Sequence, residues 1–514
     1  MNKVIPLLAI LLWFCTACGE KKSTLVISDQ PVSANFMGNG VEWSAYPHGD
    51  SPEAEWGYLM TDEKLQKVCS RLDYMKPRIV RLMDVAGWRY FKGVDTKGNP
   101  IVDFECAEVK MVCKLLDYCQ KNGITVLIGD YGVPGFWGYK GKVDRVDDPR
   151  YVDMTIRYLS YLIKERGYDC IKYYIITNEP NGTWACTNGD WEQWKRGVSM
   201  FAEGFKAAGL PLEMSAPDVV EMSDNPASEY TGRQWVEQTM IQLDSIVGNY
   251  NIHCYADAYF VRDGRFQKHH KEVADILKTT GKPVIFGEIG VLYKTGELGE
   301  EYKKLLPQKP FASEDSQLHV YDYVYGIDAA DALIQSMKAG FQGASAWMLD
   351  DAMHTIGDLG DKNQLKVWGF WNSLGTELLN DEKEEEIRPW FFTWSLMCRY
   401  FLPGMEIFNP ENEELFPNLR VVAGRKGEEA TIALLNAGDS TYTFCLKMNV
   451  GSSKQDFAVY SYTQTGYKTD ENSFPVAESV ARAKDLLSGE EEIKILPRSF
   501  KLYTNIKTLI PQHD

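Results

Sequence analysis

The stretch YYIITNEPNG, residues 173–182, joins a run of strand-favouring residues to a cluster of polar ones. Two Tyr and two Ile favour an extended strand, and Pro180 prevents that strand from continuing. Between them lie Asn178 and the carboxylate of Glu179. Either the strand has a polar end and no more, or it holds Glu179 at the mouth of a pocket. The other strand-like runs of the chain decide between these two interpretations.

Eight short apolar runs rich in strand-favouring residues recur along the first 350 positions, separated by helical patterns. The runs are NGVEWSAY (39–46), RIVRLMD (78–84), ITVLIGDYG (124–132), YYIITNEP (173–180), LEMSAPD (212–218), YNIHCYAD (250–257), PVIFGEIG (283–290) and GASAWMLD (343–350). Helix starts are marked by Asp148 followed by Pro149, and by Asp190 with Gln193 three residues later. Strands that alternate with helices predict a parallel sheet, because parallel neighbours need crossover connections.

Eight is the number of strands that closes a (β/α)8 barrel, and we predict that fold for the residues from 36 to 402. An open doubly wound sheet is the alternative, but no GxGxxG motif opens the first unit. In a barrel the carboxyl ends of the strands form the functional face. Each of the eight runs ends in polar or aromatic residues, as expected for that face: Glu42 and Trp43, Arg81 and Asp84, Asp130 and Tyr131, Asn178 and Glu179, Asp218, His253 and Tyr255, Glu288, Trp347 and Asp350.

The rhythm of the sequence changes after residue 402, where Pro, Asn and Gly interrupt the helical pattern. Strand-like runs separated by turns follow, without intervening helices. They predict a small antiparallel β-sandwich domain over residues 403–514, to which the run STLVISDQ near Val26 could add a strand. The predicted fold class is therefore α/β, a (β/α)8 barrel with a C-terminal antiparallel β-sandwich.

The N-terminus has the pattern of an export signal. Lys3 precedes the apolar run VIPLLAILLWF, which is too short to span a bilayer as a helix. Ala17 and Cys18 follow, and this pair resembles a bacterial lipoprotein cleavage site. We expect a signal peptide over residues 1–17, lipidation of Cys18, and a tether with an N-terminal strand over 18–35. An ordinary secretory signal is the alternative. The expected location is the bacterial cell envelope, with the membrane as a partner through the lipid anchor.

Charge and composition exclude several classes of protein. The formal net charge of −17 argues against a nucleic-acid partner, because phosphate binding needs clustered Lys and Arg. Cys15 and Cys18 belong to the predicted signal region, the other nine cysteines show no CxxC pair, and the seven histidines show no HExxH motif. We therefore expect neither a catalytic metal nor a cofactor.

Glu179 ends the fourth predicted strand and Glu288 ends the seventh, so a closed barrel places them nearly across its mouth from each other. Two carboxylates that face each other across a pocket suit glycoside hydrolysis. One of them protonates the leaving oxygen, and the other attacks the anomeric carbon or activates water. A carbohydrate is therefore the expected substrate.

The motifs TNEP on the fourth strand and FGEIG on the seventh resemble the acid/base and nucleophile motifs of the clan A glycoside hydrolases, which include families 5, 30 and 39. The resemblance covers roughly residues 38–400, and the appended sandwich is more similar to families 30 and 39. It implies that Glu179 is the acid/base and Glu288 the nucleophile. It also implies that Asn178 binds the sugar 2-hydroxyl, that Arg81 binds the nucleophile, and that Trp347 lies under the reacting sugar. HCY resembles the family 5 motif that would supply His253 and Tyr255.

Other residues at the strand ends and in the following loops are further candidates for contact with substrate. Trp43, Trp137 and Trp184 are either core residues or platforms for sugar rings. Asp130, Tyr131 and Asp350 are candidates for the rim of the pocket.

The sequence thus predicts a retaining glycoside hydrolase that cleaves a β-linked glycan or oligosaccharide by double displacement. A surface glycan-binding lipoprotein on a degenerate barrel is the alternative from another class, although both catalytic carboxylates are present here. A transglycosylase would carry the same residues and differ in the acceptor that it uses.

Overall fold

The structure, a computed structural model, describes residues 23–46, 59–138, 143–354, 363–448 and 455–507. Cys18 and the predicted signal peptide lie outside these ranges. The strands are β1 Thr24–Ser33, β2 Gly38–Glu42, β3 Ile79–Asp84, β4 Phe91–Val94, β5 Pro100–Val102, β6 Thr125–Asp130, β7 Ile171–Ile175, β8 Glu213–Val220, β9 Val247–Asp257, β10 Val284–Leu292, β11 Gly343–Ala346, β12 Glu406–Pro410, β13 Leu419–Lys426, β14 Glu429–Asn436, β15 Tyr442–Lys447, β16 Phe457–Thr463, β17 Gly466–Tyr467, β18 Ser479–Ala481, β19 Gly489–Ile495 and β20 Ser499–Thr504.

The α-helices lie between the barrel strands, after them and in the C-terminal domain. They are α1 Asp62–Met75, α2 Ala107–Asn122, α3 Pro149–Ser160, α4 Trp191–Ala208, α5 Gly232–Leu243, α6 Ala258–Arg262, α7 Arg265–Leu277, α8 Gly296–Leu305, α9 Tyr323–Ala339, α10 Gly375–Leu379, α11 Phe391–Tyr400 and α12 Ala483–Ser488. The caps read from the sequence are present: the Asp148 side chain accepts from the Arg150 backbone N–H, and Asp190 accepts from that of Gln193. These bonds satisfy amide groups that the first turn of a helix leaves without partners.

Eight strands form a closed parallel barrel in the order β2, β3, β6, β7, β8, β9, β10, β11, with β11 pairing β2 to close it. All eight predicted strands are therefore confirmed, and the open doubly wound alternative is wrong. The strands are buried along nearly their whole length. Helices cover the outside, which is why these strands consist of near-continuous apolar runs. Their carboxyl ends open on one face of the barrel, where a site is expected.

The C-terminal domain is a β-sandwich with its own apolar core, as predicted. Side chains from β13, β14, β15 and β19 pack together in that core. The N-terminal strand β1 belongs to this domain, because it pairs antiparallel with β12 and parallel with β15. The sheet is therefore mixed at β1 and antiparallel elsewhere, which differs slightly from the predicted all-antiparallel arrangement.

The sandwich packs directly on the barrel helices α9 and α11. Residues Tyr325–Ala339 of α9 are all buried, and so is every residue of α11. At this contact the Tyr400 hydroxyl of α11 lies 2.6 Å from the Tyr460 hydroxyl of β16. The core of the barrel runs without a break into the sandwich residues Phe500 and Leu502.

Candidate active site

The end of β7 turns sharply so that Glu179 faces the barrel mouth. Glu179 has a φ of 45°, a left-handed conformation that is uncommon for a residue with a side chain. Two main-chain bonds hold this turn: the Asn178 N–H donates to the Asp130 carbonyl at 3.1 Å, and the Glu179 N–H donates to the Asp218 carbonyl at 3.0 Å. β7 itself ends at Ile175, so the strand stops before Pro180 and not at it, which differs from the sequence prediction.

Glu288 lies within β10 and pairs with His253 of β9 just after an irregularity in the strand register. Gly287 occupies that irregularity, and a Cβ atom there would lie 2.1 Å from the Asn251 Oδ1. The glycine of the FGEIG motif therefore permits the close approach of β9 and β10 that sets the direction of the Glu288 side chain.

The two glutamates lie close enough to act on one bond. One oxygen of Glu179, one oxygen of Glu288 and a ring nitrogen of His253 all lie within 4.8 Å of one another. In glycosidases the two carboxyl groups are about 5–5.5 Å apart when the enzyme retains anomeric configuration, and about 6.5–9.5 Å apart when it inverts it. The nearest oxygens of Glu179 and Glu288 are therefore closer together than the separation found in inverting enzymes.

Arg81 is the buried cation at the base of the site, with its side chain fully shielded from solvent. Its Nη1 donates to Glu288 Oε1 at 2.5 Å and to Glu42 Oε2 at 3.0 Å. Its Nη2 donates to Asn178 Oδ1 at 2.7 Å and to Asp218 Oδ2 at 2.8 Å. Arg81 therefore orients the Glu288 carboxylate and links it to three other strand ends.

His253 joins the two glutamates to this network. Its Nδ1 lies 2.9 Å from Glu179 Oε1, and its Nε2 lies 3.0 Å from Asp218 Oδ1. Burial would lower the pKa of His253, but the negative charges of Glu288 and Asp218 outweigh burial and raise that pKa to about 10. The imidazole is therefore charged at neutral pH and donates from both nitrogens.

Tyr255 donates its hydroxyl hydrogen to Glu288 Oε2 in a short hydrogen bond. Burial and the charge of Glu288 raise the pKa of Tyr255 well above its ordinary value, so the phenol remains a donor. Burial also raises the pKa of Glu288, and the attraction of His253 and Arg81 offsets this rise only in part. Glu288 thus accepts hydrogen bonds on both oxygens while its side chain is almost fully buried.

A cavity of about 650 Å3 opens above the glutamates. Aromatic rings and a few polar groups form its wall, as is usual for a site that binds flat sugar faces. Its lining includes Tyr131, Phe136, Trp137, Asn178, Glu179, Trp184, Tyr255, Glu288, Lys294, Asp315, Trp347, Lys366 and Trp368.

The structure brings most of the residues predicted from the sequence to this cavity. Tyr131, Trp137, Asn178, Trp184 and Trp347 line it together with the two glutamates and Tyr255. Arg81 and His253 lie underneath and contact Glu288 and Glu179 instead of lining the cavity itself.

Three residues predicted to contact substrate do not line the cavity: Trp43, Asp130 and Asp350. Trp43 is fully buried, edge-on to Tyr118 of α2, because it follows the inward-facing Glu42 and successive strand side chains alternate. Asp130 is buried and accepts from the Ala86 and Gly132 backbone N–H groups, so it holds loops in place.

Asp350 is likewise buried and accepts from the hydroxyl of Tyr46 at 2.9 Å and from the indole N–H of Trp371 at 3.1 Å. Neither Asp350 nor Asp130 lies on the wall of the cavity, and the sequence could not distinguish them from rim residues. Carboxylates at strand ends also serve to satisfy loop amides.

Sequence reasoning missed the role of Asp218 and most of the outer wall. Asp218 lies near the carboxyl end of β8, and its polar position at the end of a predicted strand was the available signal. Trp368 lies 22 residues after the end of β11, in a connecting segment, and Lys366 is two positions before it in the sequence. No spacing in the sequence places either of them in the cavity.

Two groups of three side chains within the described ranges have the spacing of metal ligands: the trio of Glu179, His253 and Glu288, and a second group of Glu221, His269 and His270. In the trio all three side chains already exchange hydrogen bonds. In the second group the Glu221 carboxylate pairs with Arg233 and with His269. A guanidinium beside the carboxylate opposes a divalent cation there.

Comparison with known proteins relates the chain to solved structures alone. No protein-family model matches the sequence, and no curated protein matches it. Many solved structures match, and three of them, described below, cover 94% of this chain at 12–14% identity.

The first is a glycoside hydrolase family 30 subfamily 8 xylanase from Clostridium acetobutylicum, with a TM-score of 0.57 over 99% of its chain. The second is a family 51 α-L-arabinofuranosidase from Bifidobacterium longum, with 0.61 over 98%. The third is a family 39 β-xylosidase from Caulobacter crescentus, with 0.56 over 100%. The closed eight-stranded barrel with an appended β-sandwich is therefore the fold that this chain shares with glycoside hydrolases of families 30, 39 and 51.

Proposed function

We propose that this protein is a retaining glycoside hydrolase that cleaves a β-linked glycan or oligosaccharide by double displacement. The observation that carries the proposal is the placement of Glu179 and Glu288, with oxygens within 4.8 Å of each other beneath an aromatic cavity. The known activities of the fold neighbours, which include a xylanase and a β-xylosidase, agree with a carbohydrate substrate.

In the first step Glu288 attacks the anomeric carbon while Glu179 gives a proton to the glycosidic oxygen. The carbon–oxygen bond breaks, its electron pair stays on the leaving oxygen, and a glycosyl ester forms on Glu288. Arg81 and Tyr255 hold the two oxygens of Glu288 before the attack, which fixes the direction of the nucleophile.

In the second step Glu179 takes a proton from water, and the water oxygen attacks the anomeric carbon from the face that the leaving group left. The bond between that carbon and Glu288 breaks, its electron pair returns to the Glu288 carboxylate, and the configuration of the sugar is retained. Asn178 reaches the cavity from the residue before Glu179, and its Oδ1 accepts from Arg81. Its amide N–H groups remain to donate to a sugar hydroxyl next to the reacting carbon. The rings of Trp347 and Trp137 supply flat apolar surface for the sugar.

The test is a pair of variants that should fail in different ways. Glu288→Ala should lose essentially all turnover, because the glycosyl ester cannot form. Glu179→Ala should lose most activity on substrates with poor leaving groups but keep part of it on activated aryl glycosides, which need little protonation. Added azide should restore Glu179→Ala on those substrates and yield a β-glycosyl azide.

Product stereochemistry, followed by NMR from the first turnover, decides the mechanism. Retention of configuration is the expected result. Inversion at the anomeric carbon, or near-normal turnover by Glu288→Ala, would contradict the proposal. Binding of glycans without any turnover by the native protein would support the alternative of a glycan-binding lipoprotein.

We also infer that the protein is anchored in the cell envelope through a lipid on Cys18. The inference rests on the short apolar run before Ala17 and Cys18. Within the ranges that the structure describes, no helix has the length and apolar character needed to cross a bilayer.

A further inference from the structure

Trp184 lies directly against the carboxyl group proposed as the acid/base. Its indole Nε1 donates to Glu179 Oε2 at 2.5 Å, while His253 bonds the other oxygen of the same group. The Trp184 side chain is nevertheless half exposed, and it lines the cavity. Glu179 therefore meets the cavity beneath the edge of a ring that is itself accessible to substrate.

The loop that carries Glu179 builds this contact locally. The Gly182 N–H donates to the Glu179 carbonyl at 2.8 Å and closes a turn, which brings Trp184 back over its neighbour. The indole then lies on the open face of Gly182, where a Cβ atom would be 2.4 Å from Trp184 Cε2 and 2.7 Å from Cζ2. The absence of a side chain at Gly182 is what leaves room for the ring.

The hydrogen bond matters differently to the two protonation states of Glu179. Each carboxyl oxygen has two lone pairs, so Oε2 can carry the catalytic proton on one and accept from Trp184 on the other. A hydrogen bond to an ionised oxygen is about twice as strong as one to a neutral group. The bond from Trp184 therefore strengthens as the proton leaves Glu179, and an interaction that strengthens toward the transition state accelerates that step.

We propose that Trp184 is a positioning residue for Glu179: its indole N–H fixes Oε2 toward the leaving group and stabilises the carboxylate that forms when the proton is given up. The proposal rests on the proposed function and deepens it. It separates two roles of one side chain, since the ring offers a surface to the sugar and the N–H acts on the acid/base.

Trp184→Phe removes the N–H and keeps an aromatic ring. Loss of one hydrogen bond to a charged group corresponds to a fall in kcat of about tenfold to a hundredfold. We expect that fall on glycosides with poor leaving groups, and a change of less than about threefold on activated aryl glycosides, which need little protonation. KM should change little, because the ring surface remains. Trp184→Ala should raise KM as well.

Gly182→Ala tests the same contact without touching the tryptophan. The new methyl group would displace the indole from Glu179, so the selective loss on poor leaving groups should reappear. Trp137→Phe is the matched control: Trp137 lines the same cavity, but its Nε1 has no hydrogen-bond partner among the described residues. Whatever Trp137→Phe does to KM, it should not change the ratio of kcat between the two substrate classes.

The outcomes separate this inference from the proposed function. Native protein that turns over neither substrate class overturns both. Native turnover with retention of configuration, combined with equal losses on both classes in Trp184→Phe, overturns the role of Trp184 alone. The role of Trp184 is also overturned if Trp137→Phe changes the ratio of kcat between the two substrate classes as much as Trp184→Phe does. The effect would then come from the shape of the cavity and not from the N–H of Trp184.

Discussion

Replacing Asp218 with asparagine should destabilise the protein severely, although the two side chains have almost the same shape. Asp218 is 1% exposed and accepts three hydrogen bonds. Arg81 Nη2 donates to Oδ2 at 2.8 Å, while His253 Nε2 at 3.0 Å and Asn251 Nδ2 at 2.6 Å both donate to Oδ1. An asparagine has one acceptor oxygen and one amide group, so in either orientation its N–H groups face at least one of these donors.

The size of the effect follows from burial and charge. Removing one partner of a buried ion pair costs about 3–5 kcal/mol, because the other charge stays buried without compensation. Here the remaining partner is Arg81, whose fully buried side chain keeps its contacts with Glu288 and Glu42, so the loss should lie at the lower end of that range, about 3 kcal/mol. Native stabilities are about 5–15 kcal/mol, so Asp218→Asn should fold but unfold at much lower urea concentration.

The loss of stability in Asp218→Asn should also depend on pH in a defined direction. The pKa of His253 is raised to about 10 in the folded protein, compared with about 6.5 in an unfolded chain. Charged His253 therefore contributes stability that is fully present below about pH 6.5 and is lost as the pH rises toward 10. Asp218→Asn removes one of the charges that raise this pKa, so native protein and variant should differ most near pH 6 and less near pH 10.

Urea unfolding followed by circular dichroism at pH 6, 8 and 10 measures the difference. Asp275→Asn is the matched control, since Asp275 is exposed and its pair with Lys271 should contribute less than about 1 kcal/mol at any of these pH values. A loss below about 1 kcal/mol in Asp218→Asn at pH 6, or a loss of equal size at pH 6 and pH 10, would refute the reasoning.

Three further predictions concern the pH profile of activity, the C-terminal domain and the N-terminal anchor. The acidic limb of the pH profile of kcat/KM should lie above the ordinary range of a glutamate, because the pKa of Glu288 is raised and activity is lost as pH falls through it; a limb at about pH 4 would contradict this. Truncation after Tyr400 should give insoluble protein, because it uncovers the buried faces of α9 and α11; a soluble, active barrel would be the contrary result. Cys18→Ala should release the protein from the membrane fraction of a bacterial host, and a variant that stays bound would refute lipid anchoring.

The barrel and the placement of Glu179 and Glu288 at its mouth could be predicted because each strand is encoded by neighbouring residues in the sequence. Apolar runs, caps such as Asp148, and the regular spacing of the runs are all local signals. The assignment of Glu179 and Glu288 to opposite sides of the mouth then followed from their strand numbers. Their separation within 4.8 Å is a property of the closed barrel and appears only in the structure.

The features that could not be predicted from the sequence depend on the direction in which side chains point and on contacts between residues far apart in the chain. Trp43 was misplaced because two adjacent strand-end residues point to opposite faces, and the sequence does not state which one faces inward. The network around Arg81 joins residues from four strands, so no single motif contains it. Trp184 was placed among possible platforms, but its bond to Glu179 depends on the turn at Gly182.

The position of β1 in the C-terminal sheet sets the order in which the molecule can be completed. The Val26 N–H donates to the Asn412 side chain, 386 residues further along the chain, and β1 separates β12 from β15 in the finished sheet. At a synthesis rate of about 5–20 residues per second, Asn412 is added to the chain roughly 20–80 s after Val26. β1 thus pairs only after β12 and β15 have been synthesised, and during that interval its unpaired edge is open to association with other chains.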